Sequence, residues 1–148
     1  MYKKTQYSGI MIAIPLISMG LLLAAYLLQW GKEPIPEIYF YALEIFFLIL
    51  GSLFFRLKIT VKNKKIRLIY GIGIIQICIK PTKINAVETV KISLWYSLGI
   101  RVTAKGMLYG VQGRDAVRID YETAKKKKSI RIGTKDAENL KEAITKEF

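Results

Sequence analysis

The sequence predicts an N-terminal two-helix transmembrane hairpin followed by a mostly β soluble domain that ends in one α-helix. Two long apolar runs, at residues 10–30 and 38–55, predict the helices, and alternating apolar and polar residues after residue 56 predict strands. We therefore divide the 148 residues into a hairpin, 1–56, and a soluble domain, 57–148.

The first apolar run contains no ionisable side chain, and as a helix it would be about 30 Å long, the thickness of a bilayer's hydrocarbon core. The second contains one, Glu44, and Pro34 and Pro36 favour a reversal between the two runs. A carboxylate at this depth is costly when it faces lipid, so we expect Glu44 to face the first helix, a second subunit or water. We expect it to form a hydrogen bond within the hairpin or an oligomer, to reach towards the outer interface, or to act as a site of ion or proton passage.

The net charge of +13 lies entirely from Arg56 onward, because three Lys balance three Glu up to Phe55. Lys3 and Lys4 precede the first run, and several Lys and Arg follow the second. The connection between the runs contains only one basic residue, Lys32. The positive-inside rule therefore predicts that both termini lie in the cytoplasm.

Short strands dominate the pattern after residue 56. Leu57, Ile59 and Val61 alternate with polar residues, and Asn63 with Lys64 predicts a tight turn into a second strand. In all we expect about seven short antiparallel strands, with Cys78 buried as a small apolar residue in one of them. The C-terminal helix is predicted to begin near Asp136 and to present Leu140 and Ile144 as an apolar stripe.

The segments SLGIRVTAKGMLYGVQGRDAV, at 97–117, and IRIGTKDAENLKEAI, at 130–144, resemble the bacterial pleckstrin-homology-like (PH-like) domains that follow one or two membrane helices. In that family GIR, LY-x-V-x-G and RIGT-D segments recur in this order, and Lys135 is inserted before the acidic residue here. The resemblance implies a sandwich or open barrel closed by one helix, in a bacterial inner (cell) membrane protein. It implies no functional residues, because most such domains have no established ligand.

Two lysine groups are the candidate sites for an anionic surface. One surrounds the first hairpin turn and the other forms the tip of the last hairpin: Lys62, Lys64 and Lys65; Lys125, Lys126, Lys127 and Lys128. A Lys or Arg near an anionic leaflet contributes about 1 kcal/mol, so anionic lipid headgroups are candidate ligands. Positive-inside topology and solubility explain the same lysines without a ligand. Trp95 and Tyr96 are candidate partner-contact aromatics, or they pack to close one end of the sandwich.

Catalysis and nucleic-acid binding are disfavoured. The chain has no His, no Gly-rich phosphate motif and no candidate cofactor or metal ligand set, and aromatic residues do not interleave with its basic ones. We expect a non-enzymatic, membrane-anchored interaction module that binds a protein partner or the anionic membrane surface. The alternatives are a transport or channel accessory subunit that forms a homo-oligomer through the hairpin around Glu44, and an enzyme subunit that needs a catalytic partner.

Overall fold

Two apolar helices are inserted into a β-rich domain in this computed structural model, which describes residues 1–31, 33, 35–93, 98–111, 113–124 and 126–148. The elements in chain order are β1 (Tyr2–Tyr7), α1 (Gly9–Leu27), α2 (Glu37–Phe54), β2 (Arg56–Lys62), β3 (Lys65–Tyr70), β4 (Ile75–Ile79), β5 (Lys83–Lys91), β6 (Gly99–Thr103), β7 (Gly106–Gly110), β8 (Asp115–Thr123), β9 (Lys126–Gly133) and α3 (Ala137–Glu147).

The two N-terminal helices confirm the prediction from the apolar runs. Both are long and apolar enough to cross a membrane, with mean hydropathies of 2.3 and 1.7, and the protein itself buries little of either. They pack against each other at both ends. Tyr26 stacks on Phe40 with ring centroids 4.6 Å apart, and a side chain at Gly51 would meet Pro15.

Strand β1 was not predicted, because the sequence places residues 1–56 in the hairpin. In the structure β1 pairs antiparallel with β2, from Tyr2 opposite Val61 to Tyr7 opposite Arg56. The ladder continues to the helices, since the Ser8 N–H donates to the Phe55 carbonyl at 2.8 Å. The helical hairpin is therefore inserted between two neighbouring strands, and both helices leave the same end of that strand pair without a linker.

The strands form two sheets, which confirms the mostly β prediction. Sheet A has the order β1-β2-β3-β4, and sheet B has the order β5-β8-β9-β7-β6. Among the described residues there are nine strands rather than about seven, and the β7–β9 pair is parallel. β5 begins at Lys83 and has a register irregularity between Ile84 and Ala86 in its pairing with β8.

The inward faces of the two sheets and one face of α3 enclose a single core. Sheet A contributes Leu57, Ile59, Val61, Ile66, Leu68 and Tyr70, and sheet B contributes residues such as Val117, Ile119, Ile130 and Ile132. Leu140 and Ile144 of α3 are fully buried, as their spacing predicts. Cys78, by contrast, is exposed, because it takes the outward position between the inward-facing Ile77 and Ile79.

Candidate functional site

The outward face of sheet A is strongly basic. Inward residues of β2 and β3 are fully buried, so the alternate residues between them point to solvent. We call the outward cations of this sheet that line one groove the basic face: Lys3, Lys58, Lys62, Lys65 and Arg67. The four strands of sheet A contain no Asp or Glu.

The groove has a volume of about 370 Å³ and crosses three strands. Thr60 lies at its centre, with Lys3 opposite it on β1 and Arg67 opposite it on β3. Neighbouring strands are about 4.8 Å apart, so the backbones of Lys3 and Arg67 lie about 10 Å apart on either side of Thr60. A carboxylate or phosphate above Thr60 would be within reach of several positive groups at once.

The charge of the basic face is not balanced within the described part of the chain. None of its five cations forms an ion pair there, and no Asp or Glu is among the described residues that line the groove. Lys62 and Lys65 lie directly opposite each other in the ladder, an arrangement that is destabilising for like charges. An anionic ligand would relieve that repulsion.

The turn at one end of the groove is held by a carboxylate from α3. Asn63 and Lys64 adopt positive φ angles of 52° and 51°, as a two-residue hairpin turn requires. Glu147 accepts a hydrogen bond from the Asn63 N–H at 2.6 Å and lies 4.0 Å from the N-terminal ammonium group. This carboxylate is therefore already occupied in fixing the turn, and the neighbouring lysines remain unpaired.

Sequence reasoning found part of the basic face. Lys62 and Lys65 line the groove, and Lys64 is exposed in the adjoining turn. Lys58 and Arg67 were missed, although their alternation with buried residues and the register of the predicted hairpin would have placed them on the same face. Lys3 had no such signal, because it reaches the groove through the unpredicted strand β1.

The second lysine group lies on the other sheet. Lys125 falls outside the described residues, while Lys126, Lys127 and Lys128 belong to β9 rather than to a turn. Lys127 forms an ion pair with Glu122 at 3.8 Å across the β8–β9 pair. The structure therefore does not bring the two lysine groups together in one groove.

Both lysine groups lie at the strand ends remote from α1 and α2. β2 begins directly after α2 at Arg56, so Lys62 is about 20 Å further along the strand. β9 reaches the helix side of the domain at Gly133, whose carbonyl accepts a hydrogen bond from buried Gln6 just before α1. Lys126 lies at the opposite end of β9, about 23 Å away along the strand.

Glu44 lies on the side of α2 that faces α1. Phe40 is buried, and Glu44, Phe47 and Gly51 are half-buried positions that follow it at helical spacing. Phe40 and Gly51 contact α1, and Glu44 lies between them on the same stripe. The residue is half-buried, and its carboxylate has neither a hydrogen bond nor an ion pair with any residue that the structure describes.

The remaining candidates add little to the site. Trp95 and Tyr96 fall outside the described residues. Across the described ranges, no group of three or more His, Cys, Asp or Glu side chains is placed to hold a metal ion.

The tyrosines of sheet A add no negative charge to it. Partial burial beside Asp136 raises the pKa of Tyr2 to about 12, and burial also raises the pKa of Tyr70. Both phenols are therefore neutral at physiological pH.

Comparisons with protein-family models, with curated proteins and with solved structures find no match to this chain.

Proposed function

We propose that this protein is a non-enzymatic, membrane-anchored interaction module that binds an acidic protein partner through the basic face. The observation that carries the proposal is the row of unpaired cations on three neighbouring strands, with no carboxylate among the described residues that line their groove. Side chains on a paired sheet are held in fixed register. Such an arrangement therefore favours one complementary anionic surface over diffuse attraction.

In this proposal the hairpin spans the inner membrane of a bacterial cell, and the β-rich domain is a PH-like domain in the cytoplasm. The pairing of β1 with β2 supports an even number of crossings, because the segments on either side of the hairpin are hydrogen-bonded neighbours. The lengths of α1 and α2, 19 and 18 residues, suit one crossing each.

A protein partner is favoured over the lipid surface by the position of the lysines along their strands. Lys62 and Lys65 lie about 20 Å along the sheet from the end of α2, which is more than two Debye lengths of about 8 Å at physiological salt. If sheet A stands on the membrane at its helix end, only Lys58 lies close to the headgroups. The rest of the groove then faces a neighbouring protein.

The test uses the full chain with an environment-sensitive dye on Cys78, the only cysteine, which is exposed and lies opposite Arg67. In phosphatidylcholine nanodiscs, a polyglutamate peptide serves as the acidic probe. We expect Lys58→Glu with Arg67→Glu to weaken peptide binding about tenfold or more. The matched control, Lys83→Glu with Lys105→Glu, makes the same change in net charge at exposed positions outside sheet A and should bind like the wild type.

Two results would overturn the proposal. Equal weakening by both double variants would mean that net charge alone attracts the peptide. A dye shift on changing to phosphatidylglycerol nanodiscs without peptide, abolished by the basic-face variant, would mean that the face binds the anionic leaflet instead.

A second candidate function rests on Glu44. A half-buried Glu between two helices, with no described partner, favours a hairpin that oligomerises as a transport or channel accessory subunit. Glu44→Gln should then change the size of the detergent-solubilised complex or the ion flux through reconstituted vesicles. If both are unchanged, Glu44 has no such role.

A further inference from the structure

The loop between β3 and β4 is apolar and exposed. It consists of residues 71–74, Gly71-Ile72-Gly73-Ile74, which we call the apolar loop. The Ile72 and Ile74 side chains are 58% and 70% exposed, in a turn where polar residues are usual. The opposite turn of the same sheet, at Asn63 and Lys64, is polar. The apolar loop is therefore unusual for a solvent-facing turn.

Backbone hydrogen bonds fix this loop against the last turn of α2. The Ile72 N–H donates to the Ser52 carbonyl at 3.2 Å, and the Gly71 N–H donates to the Arg56 carbonyl at 2.8 Å. The Arg56 Nε donates in turn to the Gly71 carbonyl at 2.7 Å. The loop thus supplies a donor to one of the carbonyl groups that the end of a helix leaves without an intrahelical partner.

Gly71 makes this close approach possible. A Cβ atom at that position would lie 2.2 Å from the Ser52 carbonyl oxygen and 2.4 Å from that of Leu53, and its φ of +50° also favours glycine. Any side chain there would push the loop off the helix end. The height of the loop relative to α2 is therefore set by close backbone contacts, to which the Arg56 side chain adds one hydrogen bond.

The end of α2, to which the apolar loop is bound, lies at the expected membrane boundary. α2 is about 27 Å long, close to the hydrocarbon thickness, so its last turn lies where hydrocarbon meets headgroups. Tyr7 and Phe55 lie beside the same helix ends with ring centroids 6.2 Å apart, and the Arg56 guanidinium lies over the Phe55 ring. Aromatic and basic groups of this kind are typical of the interface.

We infer that the apolar loop inserts Ile72 and Ile74 into the leaflet from which α2 emerges, as a third membrane contact beside the two helices. Its occupant is lipid, because the loop continues the surface of a helix whose own exposed residues face lipid. The three contacts follow one another along one edge of sheet A, in the order β1, β2 and β3–β4, so the added contact limits how far the sheet can rotate within its own plane. The inference rests on the membrane insertion proposed above but not on the ligand of the basic face.

The test measures depth with an environment-sensitive dye on single cysteines in the full chain, in phosphatidylcholine nanodiscs that contain a lipid with a headgroup-level nitroxide quencher. The dye positions are Ile72→Cys and Ile74→Cys in a Cys78→Ser background. Native Cys78, four residues or about 13 Å further along β4, is the first control. Val102→Cys, at an apolar position of sheet B that is 82% exposed, is the second. Leu48→Cys with a deep quencher reports insertion of the hairpin.

We expect dyes at residues 72 and 74 to lose most of their fluorescence to the headgroup quencher, and dyes at 78 and 102 to lose little. Equal quenching at all four positions, with Leu48→Cys quenched from within the bilayer, would overturn this inference and leave the basic-face proposal intact. A dye at residue 48 that the deep quencher does not reach would overturn both membrane insertion and the third contact. Polyglutamate binding to the basic face is measured with the dye on Cys78 in a separate experiment, which does not depend on these outcomes.

Discussion

The outward faces of the two sheets differ in how far acidic residues balance their positive charge. On sheet B, Arg118 pairs with Asp120 at 2.9 Å and Lys127 pairs with Glu122 at 3.8 Å, so acidic residues of the same sheet balance part of its positive charge. On sheet A, the strands contain Lys and Arg but no Asp or Glu. Positive charge is common to both faces, and only on sheet A is it concentrated without a counter-charge.

The comparison separates charges that stabilise the fold from charges that are available to a ligand. Exposed pairs such as those of sheet B contribute about 0–1 kcal/mol each, and they leave little net field. The opposed Lys62 and Lys65 of sheet A cost stability instead. The basic face lowers the stability of the fold, and its cations are held in register. A binding function therefore explains these cations better than folding does.

The largest expected effect comes from removing β1, which breaks sheet A and leaves sheet B intact. Gln6 is buried, donates to the Gly133 carbonyl and accepts from the Lys135 N–H. A fragment of residues 57–148 loses these bonds, the β1–β2 ladder and Lys3. We expect it to be less stable by at least about 3 kcal/mol, since each hydrogen bond contributes about 1 kcal/mol. Urea denaturation followed by circular dichroism measures the difference.

The matched protein for that fragment retains β1 and replaces residues 9–54 with Asn-Gly. Ser8 and Phe55 are hydrogen-bonded neighbours, so a two-residue turn should connect them as an ordinary β-hairpin. We expect this protein to unfold cooperatively at a clearly higher urea concentration than the fragment. Equal midpoints would mean that β1 adds nothing to sheet A.

A smaller effect should follow from relieving the repulsion on the basic face. Lys65→Thr removes one of the two opposed lysines and introduces a good strand former. We therefore expect a gain of about 0.5 kcal/mol in the free energy of unfolding. Polyglutamate binding should weaken at the same time. Raised salt should shrink the stability gain, and a gain that persists unchanged at high salt would argue against charge repulsion as its cause.

The smallest effect is expected on sheet B, with the opposite sign. Asp120→Asn leaves Arg118 without its ion pair, so we expect a loss of about 0.3 kcal/mol in the free energy of unfolding and no change in polyglutamate binding. Parallel denaturation and titration of this variant and Lys65→Thr give the comparison. A variant of Asp120 that alters binding would place part of the ligand site on sheet B.

Local patterns predicted most of the architecture. The apolar runs gave α1 and α2, and the alternation from Leu57 onward gave the β2–β3 hairpin and its turn. The sequence pattern did not predict strand β1, because Tyr2–Tyr7 has few apolar residues and its partner strand lies beyond the inserted hairpin in the sequence. Pairing over that distance depends on tertiary hydrogen bonds such as those of Gln6, which no local pattern reports.

Only the part of the candidate site whose residues are adjacent in the sequence was predictable. Lys62, Lys64 and Lys65 are adjacent in sequence, but the groove also needs Lys3 and Arg67, which only strand register brings to either side of Thr60. The lack of a counter-charge likewise appears only after pairing, because the sequence after residue 56 contains acidic residues that turn out to lie on sheet B and α3.

The most direct test of the central claim is photo-crosslinking from Cys78 in native membranes. A benzophenone maleimide on this residue sits beside Arg67 at the edge of the basic face. We predict a crosslink to an acidic protein that salt weakens, that Lys58→Glu with Arg67→Glu abolishes and that Lys83→Glu with Lys105→Glu preserves. Crosslinks only to lipid, or a protein crosslink unchanged by the basic-face variant, would contradict the claim.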